Sequence, residues 1–168
     1  MAGLADAHYR KILSADSRAV ADIIRTVMPE FGATGPGFAI HDKEVENMFD
    51  AYAQPGSAYF ICEWNNRLVG GAGIAPLQGG PTDVCELKKM YFLSEARGMG
   101  LGKQLLKECL QEARALGYKK CYIETFHTMA TAIRLMIISC PSIISITIMN
   151  EVNGACVAAA KNPAIHSA

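Results

Sequence analysis

The stretch that most constrains this chain is Glu86-Leu-Lys-Lys-Met-Tyr-Phe-Leu-Ser-Glu-Ala-Arg97-Gly-Met-Gly-Leu-Gly-Lys103. Leu87, Met90, Tyr91, Phe92 and Leu93 form an apolar run of strand length. Gly98, Gly100 and Gly102 interrupt it. From Leu101 onward Leu105, Leu106, Cys109, Leu110, Ala113 and Leu116 recur at helical spacing, up to Gly117. The order is strand, glycine-rich loop, helix. Such a loop suits an anion, because the first helical turn leaves N–H groups without partners and its dipole favours negative charge. Glycines let a phosphate approach the backbone closely. Arg97 and Lys103 add positive charge at the two ends of the loop. The stretch therefore predicts a βα unit that holds a phosphate or pyrophosphate.

Two phosphate loops can be set aside. A P-loop requires Gly-Lys-Ser/Thr, and here Gln104 follows Gly102-Lys103 while Arg97 holds the place of the first glycine. A dinucleotide fingerprint requires Gly-x-Gly-x-x-Gly in a first βα unit, and the spacing here is Gly98-x-Gly100-x-Gly102, past mid-chain. What remains is Arg-x-x-Gly-x-Gly, Arg97 to Gly102. This resembles the coenzyme A loop of the GCN5-related N-acetyltransferase (GNAT) superfamily. The preceding strand with its acidic residue, the following helix and a next strand over Tyr118 to Phe126 fall in that family's order. The resemblance is best over residues 58–135 and holds in outline from His8. It implies acetyl-CoA as cosubstrate and an amine acceptor, a small molecule or a peptide.

At 168 residues the chain is expected to be a single domain with a full core. Sixteen basic residues balance sixteen acidic ones, so charge gives no reason to expect nucleic acid or an anionic membrane as partner. No apolar leader or membrane-length span is present, and a cytoplasmic location is expected. The six cysteines form no Cys-x-x-Cys pair; they read as reduced and mostly buried, with no metal site expected.

In chain order the pattern predicts a strand over His8–Leu13, then a helix capped by Ser14 or Asp16 that runs to about Met28 and is ended by Pro29. A short helix is expected over Asp42–Tyr52, and a hairpin of Ala58–Trp64 and Arg67–Ala75 turning at Asn65-Asn66. The stretch from Leu77 to Asp83 reads as a loop. Strands and helices in this order imply an α+β fold with a mixed, mostly antiparallel central sheet flanked by helices. By the resemblance, Phe31 to His41 would cover the acceptor; a plain surface connection is the alternative.

Acetyl transfer from a thioester to an amine needs a base for the amine proton, a donor for the developing oxyanion and reactive geometry. Glu86 is the expected base. It opens an otherwise apolar strand, where partial desolvation would raise its pKa, and it stands eleven residues before Arg97, an offset that resembles the base glutamate of some histone-modifying members. A salt bridge to Lys88 or Arg134, or plain exposure, is the alternative. Glu124 is the second candidate. Strict alternation would put Glu86, Lys88, Met90 and Phe92 on one face, and Leu87, Lys89, Tyr91 and Leu93 on the other. By the resemblance, the backbone of Met90, Tyr91 and Phe92 would bind the pantetheine arm, where this strand and the next splay apart. The loop Arg97, Gly98, Met99, Gly100, Leu101, Gly102 and Lys103 would bind the pyrophosphate. His127 stands near the end of the next strand, and a lone histidine there is read as structural.

The resemblance lapses after Leu135. The family's general-acid tyrosine and the Gly-Phe that follows it are missing; Met136 comes next, and Cys140-Pro141 stands further on. Every aromatic residue precedes His127, and Glu151 and Lys161 are the last two acidic or basic residues. Either Ser142–Met149 and Ala155–Ala159 are the last two strands with unusual side chains, or the tail is read in a shifted frame. So apolar a tail would aggregate if exposed, and burial in a homodimer would shield it. Without the tyrosine, water or Tyr91 would protonate the leaving thiolate, or the thiolate, with a pKa of about 8.5, would leave unaided. The alternative to an enzyme is a non-catalytic acyl-CoA-binding module.

Overall fold

The structure is a computed structural model. It describes residues 6–32, 42–126, 144–152 and 155–160, the last two stretches and residues 125 and 126 as backbone only. Residues 33–41 of the expected acceptor loop, His127, and the segment from Thr128 to the end of the Cys140-Pro141 stretch lie outside the described residues.

Seven strands form one mixed sheet in chain order: β1 (Ala7–Lys11), β2 (Ala58–Trp64), β3 (Arg67–Pro76), β4 (Val84–Phe92), β5 (Lys120–Phe126), β6 (Ile144–Val152) and β7 (Ala155–Ala160). Pairing is antiparallel from β1 through β4, parallel for β4–β5 and β5–β6, and antiparallel for β6–β7. Among the described residues three α-helices flank it: α1 (Ser17–Glu30), α2 (Met48–Tyr52) and α3 (Leu101–Ala115).

Each layer follows from its apolar stripe. Val20, Ile23, Ile24 and Val27 bury one side of α1, and α1 packs on the sheet with Val45, Met48 and Tyr52. Leu101, Leu105, Leu106, Cys109, Leu110 and Ala113 of α3 pack on the opposite face, against Cys85, Leu87, Phe92, Cys121 and Ile123. The turn at Asn65 and Asn66 has φ of 51° and 58°, the left-handed pair that a two-residue hairpin needs. Cys62, Cys85, Cys109 and Cys121 are buried free thiols.

Several local expectations are corrected. Asp16 does not cap α1 with its side chain; its carboxylate accepts the Leu13 N–H at 2.8 Å and pairs with Arg10 at 2.7 Å, and Ser14–Asp16 is a 3₁₀ turn. Pro29 lies inside the last turn of α1, where only one helical bond is lost, and the helix ends after Glu30 with Gly32 at φ 75°. The expected helix over Asp42–Tyr52 is split into a 3₁₀ segment, Lys43–Asn47, and α2, whose Asn47 cap accepts the Asp50 N–H.

The most consequential departure is in β4. The β3–β4 register shifts between Gly71↔Tyr91 and Gly73↔Lys88, so that Lys89 and Met90 together oppose Ala72. Lys89 has φ of 54°, which makes this a β-bulge. The bulge reverses the alternation. Met90 and Phe92 pack with Leu87 on the α3 face, whereas Tyr91 packs on the α1–α2 face, the side where Glu86 and Lys88 lie. Strict alternation had put Met90 and Phe92 with Glu86. Tyr59 holds the bulge from below: its fully buried hydroxyl donates to the Lys89 carbonyl at 3.0 Å.

Candidate active site

The site begins where a ladder ends. Parallel pairing of β4 with β5 runs Val84↔Lys120, Cys85↔Cys121, Glu86↔Tyr122 and Leu87↔Ile123, and then stops. Both strands continue, β4 to Phe92 along β3 and β5 to Phe126 along β6. From Lys88 onward, the edge of β4 that faced β5 has no strand partner. This is the splay that the resemblance implies and that residue types alone do not reveal. It leaves β4 without a ladder partner on that edge over Met90, Tyr91 and Phe92, the residues expected to bind pantetheine, although the Lys89 carbonyl is taken by Tyr59 and the Phe92 carbonyl by Arg97.

Beyond Phe92 the chain turns through a 3₁₀ segment, Ser94–Ala96, and reaches Arg97 in an extended conformation. Gly98 and Gly100 have φ of 77° and 82°. A Cβ at either would meet nothing within 4 Å, so packing does not demand glycine there; the left-handed backbone does. Gly100 caps α3 and its carbonyl accepts the Lys103 N–H at 3.1 Å. The N–H groups of residues 98–102 donate to no acceptor among the described residues. Five free donors, a helix N-terminus and open space above the glycines fit a pyrophosphate.

Arg97 is not free. Its Nε donates to the Phe92 carbonyl at 2.9 Å, its Nη1 pairs with Glu30 at 2.7 Å, and its guanidinium lies 5.3 Å from the Phe31 ring centroid. The residue therefore ties the loop to the end of β4 and to the end of α1. These three partners carry no signal in the sequence, because they meet Arg97 only through the fold.

Glu86 is half-buried, and its strand begins two residues earlier than expected, at Val84. Burial raises its pKa above the usual carboxylate range; Lys88 pulls it back, and the Glu124 charge pushes it further up. The alternative of an ion pair with Lys88 fails, since Lys88 donates instead to Glu44 at 2.9 Å. Burial pulls the Lys88 pKa down, but Glu44 more than offsets this and the net shift is upward. Lys89, the bulge residue, is buried and pairs with Asp42 and, at 3.4 Å, with Glu44. Burial pushes the Glu44 carboxylate up, yet the two lysines together hold it below its ordinary value. Glu124 is exposed on β5, on the same face as Glu86.

One group escaped the sequence reading. Tyr52 is 5% exposed and its hydroxyl has no hydrogen-bond partner among the described residues. Its ring lies 5.0 Å from that of Tyr59, over Gly73, where a Cβ would collide with it. Gly73 pairs with Lys88, so the glycine is the signal that an aromatic lies flat beside this part of β4. Among the described residues, no three His, Cys, Asp or Glu side chains cluster as metal ligands, and no helix is long and apolar enough to cross a membrane.

Comparison with known proteins agrees with this geometry. Residues 20–136 match the model of the Acetyltransferase (GNAT) family. The uncharacterized N-acetyltransferase YjgM of Escherichia coli is 42% identical over 127 residues, 75% of this chain and 76% of that protein. A Schizosaccharomyces pombe N-acetyltransferase is 31% identical, over 67% of this chain and 68% of its own length. A Salmonella typhimurium protein solved with acetyl-CoA aligns with a TM-score of 0.69 at 18% identity, covering 92% of this chain and 91% of that one. The open β4–β5 edge, the left-handed glycine loop at the start of α3 and these matches lead to one assignment: the chain belongs to the GNAT acetyltransferase family.

Proposed function

We propose that the protein transfers an acetyl group from acetyl-CoA to a primary amine by direct attack, with Glu86 as general base. The observation that carries this reading is the end of the β4–β5 ladder at Leu87↔Ile123, which opens main-chain groups beside a half-buried carboxylate and above a loop of free N–H donors. A Clostridium acetobutylicum protein solved with acetyl-CoA, 25% identical with a TM-score of 0.56 over 70% of this chain and 79% of its own, supports the choice of cosubstrate.

The parts divide the work. The N–H groups of residues 98–102, with Lys103, hold the pyrophosphate, on a loop that Arg97 ties to β4 and to α1. The Met90 to Phe92 backbone orients the pantetheine arm, and an amide of Met90 or Phe92 faces the thioester oxygen, where charge develops. Glu86, with its raised pKa, takes the proton of the attacking amine directly or through a water. Burial holds the Tyr91 hydroxyl protonated far above its ordinary range. Transfer from it to a thiolate of pKa about 8.5 is uphill, and from neutral water more so; the thiolate is therefore assigned to leave without a general acid and to take up its proton from buffered solvent afterwards. That costs the general-acid contribution, about a hundredfold.

Calorimetric titration of acetyl-CoA, followed by an amine screen read by release of free thiol, tests the proposal. The expected result is binding that Gly100→Glu abolishes, and thiol release that depends on an added amine. Binding without transfer to any amine would make the chain a non-catalytic acyl-CoA module. No binding by a folded protein would overturn both readings.

A further inference from the structure

The charges on the α1–α2 face do not balance, and the imbalance names a ligand. That face carries Asp42, Glu44, Glu86 and Glu124 against Lys88 and Lys89. The parity is secured by packing: Cys85, Leu87, Cys121 and Ile123 all bury on the α3 side, so Glu86, Tyr122 and Glu124 share the other. The two lysines are consumed by Glu44 and Asp42. Glu86 and Glu124 are left, one on each splayed strand, and neither has an ion-pair partner among the described residues. The Glu124 charge is among the groups that oppose ionisation of Glu86.

Tyr52 supplies an independent observation. A buried hydroxyl without a partner is rare in a folded protein and calls for an explanation. It is held beside the Glu86 stretch of β4 by the close approach over Gly73, and the charges of Glu44 and Glu86 both act on it. A hydroxyl there accepts from an ammonium N–H or donates to Glu86 once a ligand is seated.

We propose that Glu86, Glu124 and Tyr52 form the acceptor subsite, and that the acceptor is an amine bearing a second positive charge, of the linear diamine class, and not an amino acid. This rests on the acetyltransferase reading for the word acceptor, but the binding preference stands apart from catalysis. One ammonium gives up its proton to Glu86 and becomes the nucleophile. Glu124 would still be unpaired, and a second ammonium satisfies it. A carboxylate on the ligand would instead add a third negative charge to the same face.

The test titrates 1,4-diaminobutane, butylamine and 4-aminobutanoate into the protein, alone and saturated with coenzyme A, and repeats the series with Glu124→Gln. Glu124 is exposed, so this variant keeps the fold. The expected order is diaminobutane tighter than butylamine by about fivefold or more, the scale of one partly exposed ion pair, with 4-aminobutanoate weakest. Glu124→Gln should narrow the gap between the first two, and Tyr52→Phe should weaken diaminobutane binding. Equal affinities, tightest binding of 4-aminobutanoate, or a gap that Glu124→Gln leaves intact would overturn the proposal. A protein that acetylates all three amines equally loses this inference and keeps the acetyltransferase reading. One that prefers diaminobutane but never binds acetyl-CoA does the reverse.

Discussion

The two halves of β4 are neighbours in one strand and differ in nearly everything that matters. Residues 84–87 are paired on both sides, to β3 and to β5, and Val84, Cys85 and Leu87 are buried. Residues 88–92 are paired on one side only, pass through a bulge, and carry two lysines bound to carboxylates from the segment before α2. The closed half is ordinary core. The open half lacks ladder partners on one side, and ion pairs and the Tyr59 bond to the Lys89 carbonyl add to its β3 pairing and to the packing of Met90 and Phe92. A binding edge is made here by stopping a sheet early, and Glu86 sits at the boundary.

Substitutions separate the halves, and the largest effect belongs to the closed one. Leu87→Ala should cost about 3 kcal/mol of stability, read as a lower urea midpoint, because the site cannot collapse between α3 and the sheet. Glu86→Gln should lower kcat about a hundredfold or more while leaving acetyl-CoA affinity unchanged. Its stability effect has the opposite sign. The folded-state pKa lies above the unfolded one, so stability from Glu86 is present at low pH and is lost as pH rises through that interval. At neutral pH the glutamine variant should therefore unfold at an equal or higher urea concentration; a lower midpoint would contradict the assigned burial.

A third substitution addresses the boundary itself. Lys88 holds the Glu86 pKa down, so Lys88→Met should move the acidic limb of the pH–rate profile to higher pH. An unmoved limb would mean that Glu86 is not the titrating group. The smallest effect is expected far from β4. Asn66→Gly relieves a left-handed backbone at the β2–β3 turn and should stabilise by about 0.5 kcal/mol, with no change in turnover.

The boundary also marks where sequence reasoning ends. Gly98, Gly100 and the leucine stripe of α3 were legible because φ and helical periodicity are local properties. The hairpin at Asn65-Asn66 was legible for the same reason. The reversal of Met90 and Phe92 relative to Glu86 was not, because the bulge depends on Tyr59 and on a register set by β3. The ion-pair partners of Arg97 and Lys88 come from α1 and from the segment before α2, more than forty residues away. Burial of Glu86 was legible in direction, from a carboxylate in an apolar strand. The orphaned hydroxyl of Tyr52 had only the weak signal of glycines in β3.

The order of the sheet has a consequence for how the protein is made. Each strand lies beside its predecessor in the chain, from β1 through β7. Strands can therefore be added one at a time as synthesis proceeds, with β2, β3 and β4 joined by short connections. Until β5 arrives, the far edge of β4 is an ordinary open sheet edge along its whole length. When β5 docks, only residues 84–87 are closed. The binding edge is thus not carved out of a finished sheet; it is the part of a growing one that the next strand leaves uncovered.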